Sequence, residues 1–278
     1  MTSRSMMSAA LACALLALAP ASAAALTLAD NLVAYYPFTG NASNAAGAAG
    51  QGTLQNGATF GTDRLGAANS ALSTDGVNDY VGLASLATSG IGDFTVSTWF
   101  KLAAFNPGGR SYIVDLRGDG SEPNQTAALF IDNSGGNMNV GYYTDVPGQG
   151  TVQLFYNAGS GLGVWHQLVM TRAGGTLRGY FDGNTTPVVS SAVGANAMTW
   201  TVARIGTFSA QNGAGDYWYN GGIDDVGLWT RALAATEVNT LFTTGVPALG
   251  APEPAGLALL ALTLLPLARR RSRRAPRA

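Results

Sequence analysis

His166 is the one histidine and Cys13 the one cysteine among 278 residues. Those counts remove a Cys/His zinc centre, a Cys–His dyad and a redox pair from consideration. A serine triad would have to use His166, which follows Trp165 at the start of a strand-like run. No Gly-x-Ser-x-Gly elbow or phosphate-binding loop accompanies it, so His166 is given no catalytic role. Glycoside hydrolysis needs two carboxylates roughly 5–9 Å apart, often set on one strand as Glu-x-Asp-x-x-Glu. The glutamates are Glu122, Glu237 and Glu253, and no such spacing exists among them. Asp115, Asp119 and Asp132 sit near turns, where aspartate is common for backbone reasons.

Binding chemistry is better represented. In Ile223–Leu228, alternation places Asp224 on the face of Val226 and Leu228. A carboxylate on an apolar face needs a partner, either a cation or backbone amides. Both stay open at this stage. Asp75, Asn78 and Asp79 make an oxygen-rich turn that reads as the start of a strand. Sugar sites stack a ring on a pyranose face and hold hydroxyls with Asn, Asp or Gln. Gly213 and Gly215 lead into Asp216, Tyr217, Trp218 and Tyr219, which form the candidate ligand-binding group. If this run is a strand, alternate rings face opposite sides. Tyr142, Tyr143, Phe155, Tyr156 and Trp200 are further candidates; Trp99, Trp165 and Trp229 are assigned to core or inter-sheet packing.

The elements that must position these residues are short apolar-alternating runs between Gly/Asn/Asp turns, from Leu26 to about Leu249. Phe94, Val96, Thr98, Phe100 and Leu102 share one face; Thr95, Ser97, Trp99 and Lys101 share the other. Ala173-Gly174-Gly175 reads as a hairpin turn, and residues 39–62 as a long loop with a short strand at Thr53-Leu54. One helix is expected, from Ala235 to Phe242, with Glu237 as half of a capping box. Many short strands at this spacing predict an all-β, two-sheet antiparallel sandwich.

The two ends are addresses. Arg4, an apolar run from Ala9 to Ala19 and small residues up to Ala23 predict a signal peptide over 1–23. Cys13 lies too near Met1 for a lipoprotein cut. At the other end come Pro252, Glu253 and Pro254, an apolar stretch over 255–268, and a cluster beginning Arg269, Arg270, Arg271. Those 14 apolar residues rise ~21 Å as a helix, short of the ~30 Å hydrocarbon core. Between the ends, residues 24–251 hold 8 basic and 15 acidic groups, a net charge of −7. An acidic domain without a basic stripe excludes nucleic acid as partner.

Six segments carry a resemblance. They are "LVAYYPFTGN" at 32–41, "DRLG" at 63–66, "DGVNDYV" at 75–81, "DFTVSTWFKL" at 93–102, "VWHQLVMTRAGGTLRGYFDG" at 164–183 and "YNGGIDDVGLWTRAL" at 219–233. In this order they resemble the concanavalin A-like jelly roll, in its laminin-G-like branch. That resemblance implies a domain over 26–249. It implies no single chemistry, because the fold carries lectins, adhesion modules and glycosidases alike. It also implies a structural Ca²⁺ held by Asp224 together with oxygens of the loop after the first strand. Asn44 stands there in place of the usual Asp. The tail over 252–278 resembles the PEP-CTERM sorting signal of Gram-negative bacteria. This implies processing by an exosortase, transient contact with the inner membrane, and a place at the cell surface or in an exopolysaccharide matrix. The function expected is a secreted, non-enzymatic, polysaccharide-binding surface protein. The rivals are an adhesive protein with a protein partner and no sugar site, and an atypical glycosidase using Asp pairs.

Overall fold

Period-two alternation decides which side chains of each strand are buried between layers, and strand Phe94–Leu102 obeys it. Phe94, Val96, Phe100 and Leu102 join the main core, whereas Ser97, Trp99 and Lys101 face outward. The computed structural model describes residues 26–86, 88–118, 125–208 and 217–246. Strands are numbered here in chain order. The first sheet runs β14 (Val189–Ala192), β13 (Thr176–Phe181), β12 (Trp165–Ala173), β7 (Phe94–Leu102), β17 (Asn220–Trp229), β4 (Ala71–Asp75) and β3 (Thr59–Gly61). β1 (Leu32–Tyr36) also pairs with β17. The second sheet runs β11 (Gly150–Asn157), β10 (Asn139–Val146), β9 (Thr126–Asp132), β8 (Arg110–Arg117), β16 (Val202–Ile205), β5 (Tyr80–Leu83) and β2 (Gly52–Gln55). β6 (Thr88–Ile91) and β15 (Met198–Trp200) form a separate pair. All of these pairings are antiparallel, giving the jelly-roll sandwich.

The inner faces meet in one core. Phe94, Phe100 and Leu228 of the first sheet share it with Leu129, Ile131 and Val140 of the second. Fully burying each such side chain contributes ~1.5–3 kcal/mol. Helix α1 (Ala235–Thr244) lies on the outer face of the first sheet, where Val238 and Leu241 pack with Val169, Tyr180 and Trp229. Its N-terminus has alanine at the cap, which makes no side-chain bond. The Ala234 amide is instead held by the Glu237 carboxylate at 2.8 Å. Arg231 locks that carboxylate through two hydrogen bonds, and it also reaches the Thr27 and Asp30 carbonyls at 2.7 and 2.9 Å.

Two expectations change here. Core packing holds for the buried Trp99 and Trp229, but none of Trp99, Trp165 and Trp229 lies between the sheets. Trp99 and Trp165 pair in register with Gln167 and Lys101, and Trp229 with Thr95, so all three belong to the outer face of the first sheet. Asp224 does not share a face with Val226 and Leu228. A bulge at Asp225, whose φ is +48°, puts an extra residue in β17 between the Asp224–Trp99 and Gly227–Ser97 pairs. The extra residue reverses the alternation, so Asp224 faces outward while Val226 and Leu228 face the core. At this bulge β17 also changes its second neighbour, from β4 to β1.

Candidate functional site

The outer face of the second sheet carries a band of aromatic rings and guanidinium groups. Alternation in β9 sends Leu129 and Ile131 inward and Ala128 and Phe130 outward. In β8 an irregularity between Tyr112 and Val114 leaves Ile113 as an extra residue; both Ile113 and Val114 turn inward while Tyr112 stays outward opposite Phe130. Gly141 of β10, opposite Phe130, makes room for the ring: a Cβ there would lie 2.2 Å from Phe130 Cζ.

Tyr112 is the hub. Its ring stacks on Phe130 at 5.1 Å and meets Phe208 at 4.9 Å and Tyr217 at 5.8 Å. Phe155 of β11 meets Phe130 edge-on at 5.7 Å and is itself 42 % exposed. A second pair, Tyr80 and Trp218, lies with ring centroids 6.1 Å apart. Three arginines lie over these rings: Arg110 over Phe130 at 5.0 Å, Arg117 over Phe208 at 4.0 Å and Arg204 over Tyr80 at 5.1 Å. Arg110 Nε donates to Asp132 at 3.0 Å, and Arg117 Nε to Asp115 at 2.7 Å. Burial pushes the Tyr112 phenol up to about 12, with the Asp115 charge adding to it, so this hydroxyl stays a neutral donor and acceptor. Burial works against the Asp132 carboxylate, yet hydrogen bonds from Ser134 and Arg110 hold it below its ordinary value. Apolar rings beside fixed polar groups are what a sugar's two kinds of surface require.

The sequence-derived candidates fall on this face in part. Tyr217 and Trp218 belong to it, and both are half-buried. Tyr219 does not: it is fully buried in the inter-sheet core, because the chain turns inward there to begin β17. Asp216 lies outside the described residues, as do the 1–23 segment, Pro252, Glu253, Pro254, Arg269, Arg270 and Arg271. Phe155 is on the face, but Tyr142 and Trp200 are core residues. Tyr112, Phe130, Phe208 and the three arginines had no signal in the sequence beyond residue type. They come from β8, β9, β16 and the turn after β16, and meet through the pairing of β8 with β9 and β16.

Asp224 and Asp225 form a different cluster, on the outer face of the first sheet. Arg64, in the loop between β3 and β4, hydrogen-bonds Asp225 and lies 3.3 Å from Asp224 Oδ2. Asp63 fixes that loop by accepting from the Leu65 and Ala67 amides at 2.9 and 2.7 Å. Tyr35 donates its hydroxyl to Asp225, and the Asp225 amide donates to Asp224 Oδ1 at 2.8 Å. The Arg64 guanidinium lies 4.7 Å above the Trp99 ring, which stacks on Phe242 of α1 at 5.2 Å. Burial pushes Asp224 up to about 8, and the neighbouring Asp225 charge adds to the rise. One guanidinium cannot neutralise two buried carboxylates, so Asp224 keeps its proton.

The residues present do not fit the implied calcium. The cation beside Asp224 is Arg64. Asn44 Oδ1 accepts from the Tyr35 and Ala46 amides, each at 2.9 Å, and its Nδ2 donates to the Val33 and Ala49 carbonyls. Its side chain thus staples the loop after β1 with every polar atom occupied. Among the described residues, no group of three or more His, Cys, Asp or Glu side chains is arranged to hold a metal. The Asp75–Asp79 turn binds its own backbone: the Val77 amide donates to Asp75, and the Asp75 amide to Asp79.

His166 and Asp182 form a pair that sequence reasoning missed, with Nδ1 and Oδ2 2.8 Å apart. The ring sits between Phe100 and Phe181. Its Nε2 is buried and, among the described residues, has no hydrogen-bond partner, so no serine or cysteine is engaged. On the aromatic face, Asp115 and Asp132 flank the band at opposite ends. Asp115 pairs in register with Ala128, four positions from Asp132 along β9. At ~3.3 Å per residue that is roughly 13 Å, too far for a retaining or inverting pair.

Residues 75–239 match the family model Laminin_G_3, described as the concanavalin A-like lectin/glucanases superfamily. No curated protein matches the sequence. Among solved structures, domain 4 of AbnA, an extracellular arabinanase from Geobacillus stearothermophilus, was determined in complex with arabinotriose. It is 17 % identical with a TM-score of 0.57, over 77 % of this chain and 98 % of that one. The binding domain of botulinum neurotoxin DC in complex with rat synaptotagmin II is 12 % identical with a TM-score of 0.58, over 78 % of this chain. The match covers 52 % of the toxin chain, about half its length. At these identities the likeness is one of fold.

Proposed function

This chain belongs to the concanavalin A-like lectin/glucanases superfamily, and we propose that it is a secreted, non-enzymatic protein that binds extracellular polysaccharide through the outer face of its second sheet. The observation that carries this is the ring band: Tyr112, Phe208, Tyr217, Trp218 and exposed Phe155, interleaved with fixed guanidinium and carboxylate groups. Such a band offers apolar contact for sugar rings and donors for their oxygens. The arabinotriose complex of a domain sharing this fold supports the same reading. The ~13 Å spacing of Asp115 and Asp132, and the lone His166–Asp182 pair, support a binding rather than a hydrolytic role.

The test is a pair of measurements on Phe155→Ala and Trp218→Ala. Phe155 is exposed and Trp218 half-buried at the surface, so each contributes little to the core and each variant should melt within about 2 kcal/mol of the parent. Each should bind matrix polysaccharide about tenfold or more weakly, the worth of one stacking contact. Unchanged affinity in both would move the protein to its rival role, an adhesin with a protein partner. Reducing-sugar release from any matrix polysaccharide would overturn the non-enzymatic assignment.

The address is part of the proposal. The 1–23 segment would direct export through the inner membrane. The 252–278 tail would hold the chain there until an exosortase releases it to the surface or matrix. Among the described residues no helix is long and apolar enough to cross a membrane. Mass spectrometry of the mature C-terminus should find Arg269–Arg271 removed, and Pro252-Glu253-Pro254→Ala should leave the chain uncut in the membrane fraction. A mature protein that retains the arginine cluster would make the tail a plain anchor.

A further inference from the structure

Taking the outer face of the second sheet as the glycan-binding face, which is the reading above, we infer that its ligand is an acidic polysaccharide whose carboxylates dock on Arg117 and Arg204. The two arginines flank a single carboxylate. Arg117 Nε donates to Asp115, and Arg204 stands directly opposite Asp115 on the adjacent strand. Arg204 Nη1 reaches the Phe208 carbonyl at 3.4 Å, and among the described residues no carboxylate ion-pairs with it. Among the described residues the pair therefore carries one positive charge more than its counter-ion removes, within a domain whose net charge is −7.

Donors also outnumber acceptors. Both guanidiniums lie over rings, Arg117 on Phe208 and Arg204 on Tyr80. A guanidinium laid on a ring keeps its N–H edge in plane for a two-pronged contact with a carboxylate. The Nη groups of Arg117 have no acceptor among the described residues. The carboxylate and amide acceptors that share the band, Asp115, Asp132 and Gln153, already receive bonds from Arg117 and Arg110. A neutral sugar hydroxyl needs both donors and acceptors, whereas a carboxylate needs donors alone. The rings of Tyr80 and Trp218 beside Arg204 give the same sugar an apolar contact.

The probe pair is polygalacturonate and its carboxyl-reduced polymer, which keeps the chain and loses the charge. Affinity electrophoresis of the folded domain should show binding to the acidic polymer about tenfold or more tighter, the worth of one charge-assisted hydrogen bond. The difference should shrink as salt is raised, because the contact lies at a surface. Arg204→Gln and Arg117→Met should erase it while thermal melting stays cooperative. Arg204→Lys should restore only part, since an ammonium lacks the fork. Arg178→Ala, on the other sheet, should behave as the parent. Equal binding of both polymers would overturn the carboxylate inference and leave sugar binding standing. Loss of the preference in Arg178→Ala to the same degree would reduce it to net charge and also overturn it. Binding to neither polymer, nor to any of a panel of neutral glycans, would overturn both.

Discussion

Replacing Arg64 by methionine should lower the melting temperature by roughly 6–20 °C. Removing one partner of a buried ion pair costs ~3–5 kcal/mol, and each kcal/mol is worth ~2–4 °C in a domain of this size. The side chains of the charged pair are buried enough for that range, at 15 % exposure for Arg64 and 13 % for Asp225. The variant would leave Asp225 facing only the Tyr35 hydroxyl and Asp224, and it would remove the cation lying on Trp99. Because methionine keeps most of the stem volume, the loss should report charge more than packing. Asp224→Asn and Asp225→Asn together, in the Arg64→Met background, should recover most of it. The pH dependence has a definite sign. Asp224 is raised in the fold from an unfolded value of ~3.9 to about 8. Its contribution is therefore fully present below the unfolded value and is lost as pH rises through about 8. In the methionine variant the loss should be greater at pH 9 than at pH 5. With Arg64 in place, chelator and added calcium should both leave the parent's melting curve unmoved. A chelator-induced drop of several degrees would return this cluster to metal binding.

How the sequence and the molecule relate is clearest at this cluster. Part of the strand set is legible: the alternation of Phe94–Leu102, the hairpin at Ala173–Gly175 and the helix after Leu233 follow from local pattern, whereas β3 falls in what reads as a long loop and β4, β6, β11, β14 and β15 do not stand out. The helix runs two residues further than expected, to Thr244, where the Gly245 amide closes it on the Leu241 carbonyl. Asp224 was correctly seen to need a partner, but strict alternation placed it on the wrong face. A one-residue bulge leaves no trace in a period-two pattern except a residue with positive φ, and Asp225 is such a residue without being glycine. Its partner, Arg64, is 160 positions away in sequence, so no spacing could reveal it. The candidate face was half legible for the same reason. Tyr217 and Trp218 stood out as consecutive rings after a glycine-rich stretch. Tyr112 and Phe130 carry no signal beyond residue type, since strands buried on one face and half-covered on the other read as continuous apolar runs. What separates them from Leu129 or Ile131 is the register of β8 on β9, with its irregularity between Tyr112 and Val114.

Trp229→Ala should be the most destabilising of the tryptophan substitutions and should leave polysaccharide affinity unchanged in the folded fraction. The ring is fully buried on the outer face of the first sheet, among Leu28, Val169, Tyr180, Leu233, Val238 and Leu241. It folds back over Gly227, where a Cβ would lie 2.4 Å from the ring, and its Nε1 donates to the Leu28 carbonyl at 2.7 Å. One side chain thus joins the last strand, helix α1 and the segment before β1. Truncating it removes a large apolar volume, ~3–5 kcal/mol, and leaves a buried carbonyl unsatisfied at ~1–3 kcal/mol more. Trp229→Phe separates the two: it keeps most of the volume, loses the N–H, and should show the smaller share alone. The proposed binding band lies across the sandwich on the second sheet, so below the melting transition neither variant should change affinity. Trp218→Ala should show the converse, weaker binding at nearly parental stability. Thermal melting and affinity electrophoresis on the same preparations decide between them. If Trp229→Ala weakens binding while its melting curve still shows a fully folded baseline, the two faces are coupled and the ring band alone does not define the site.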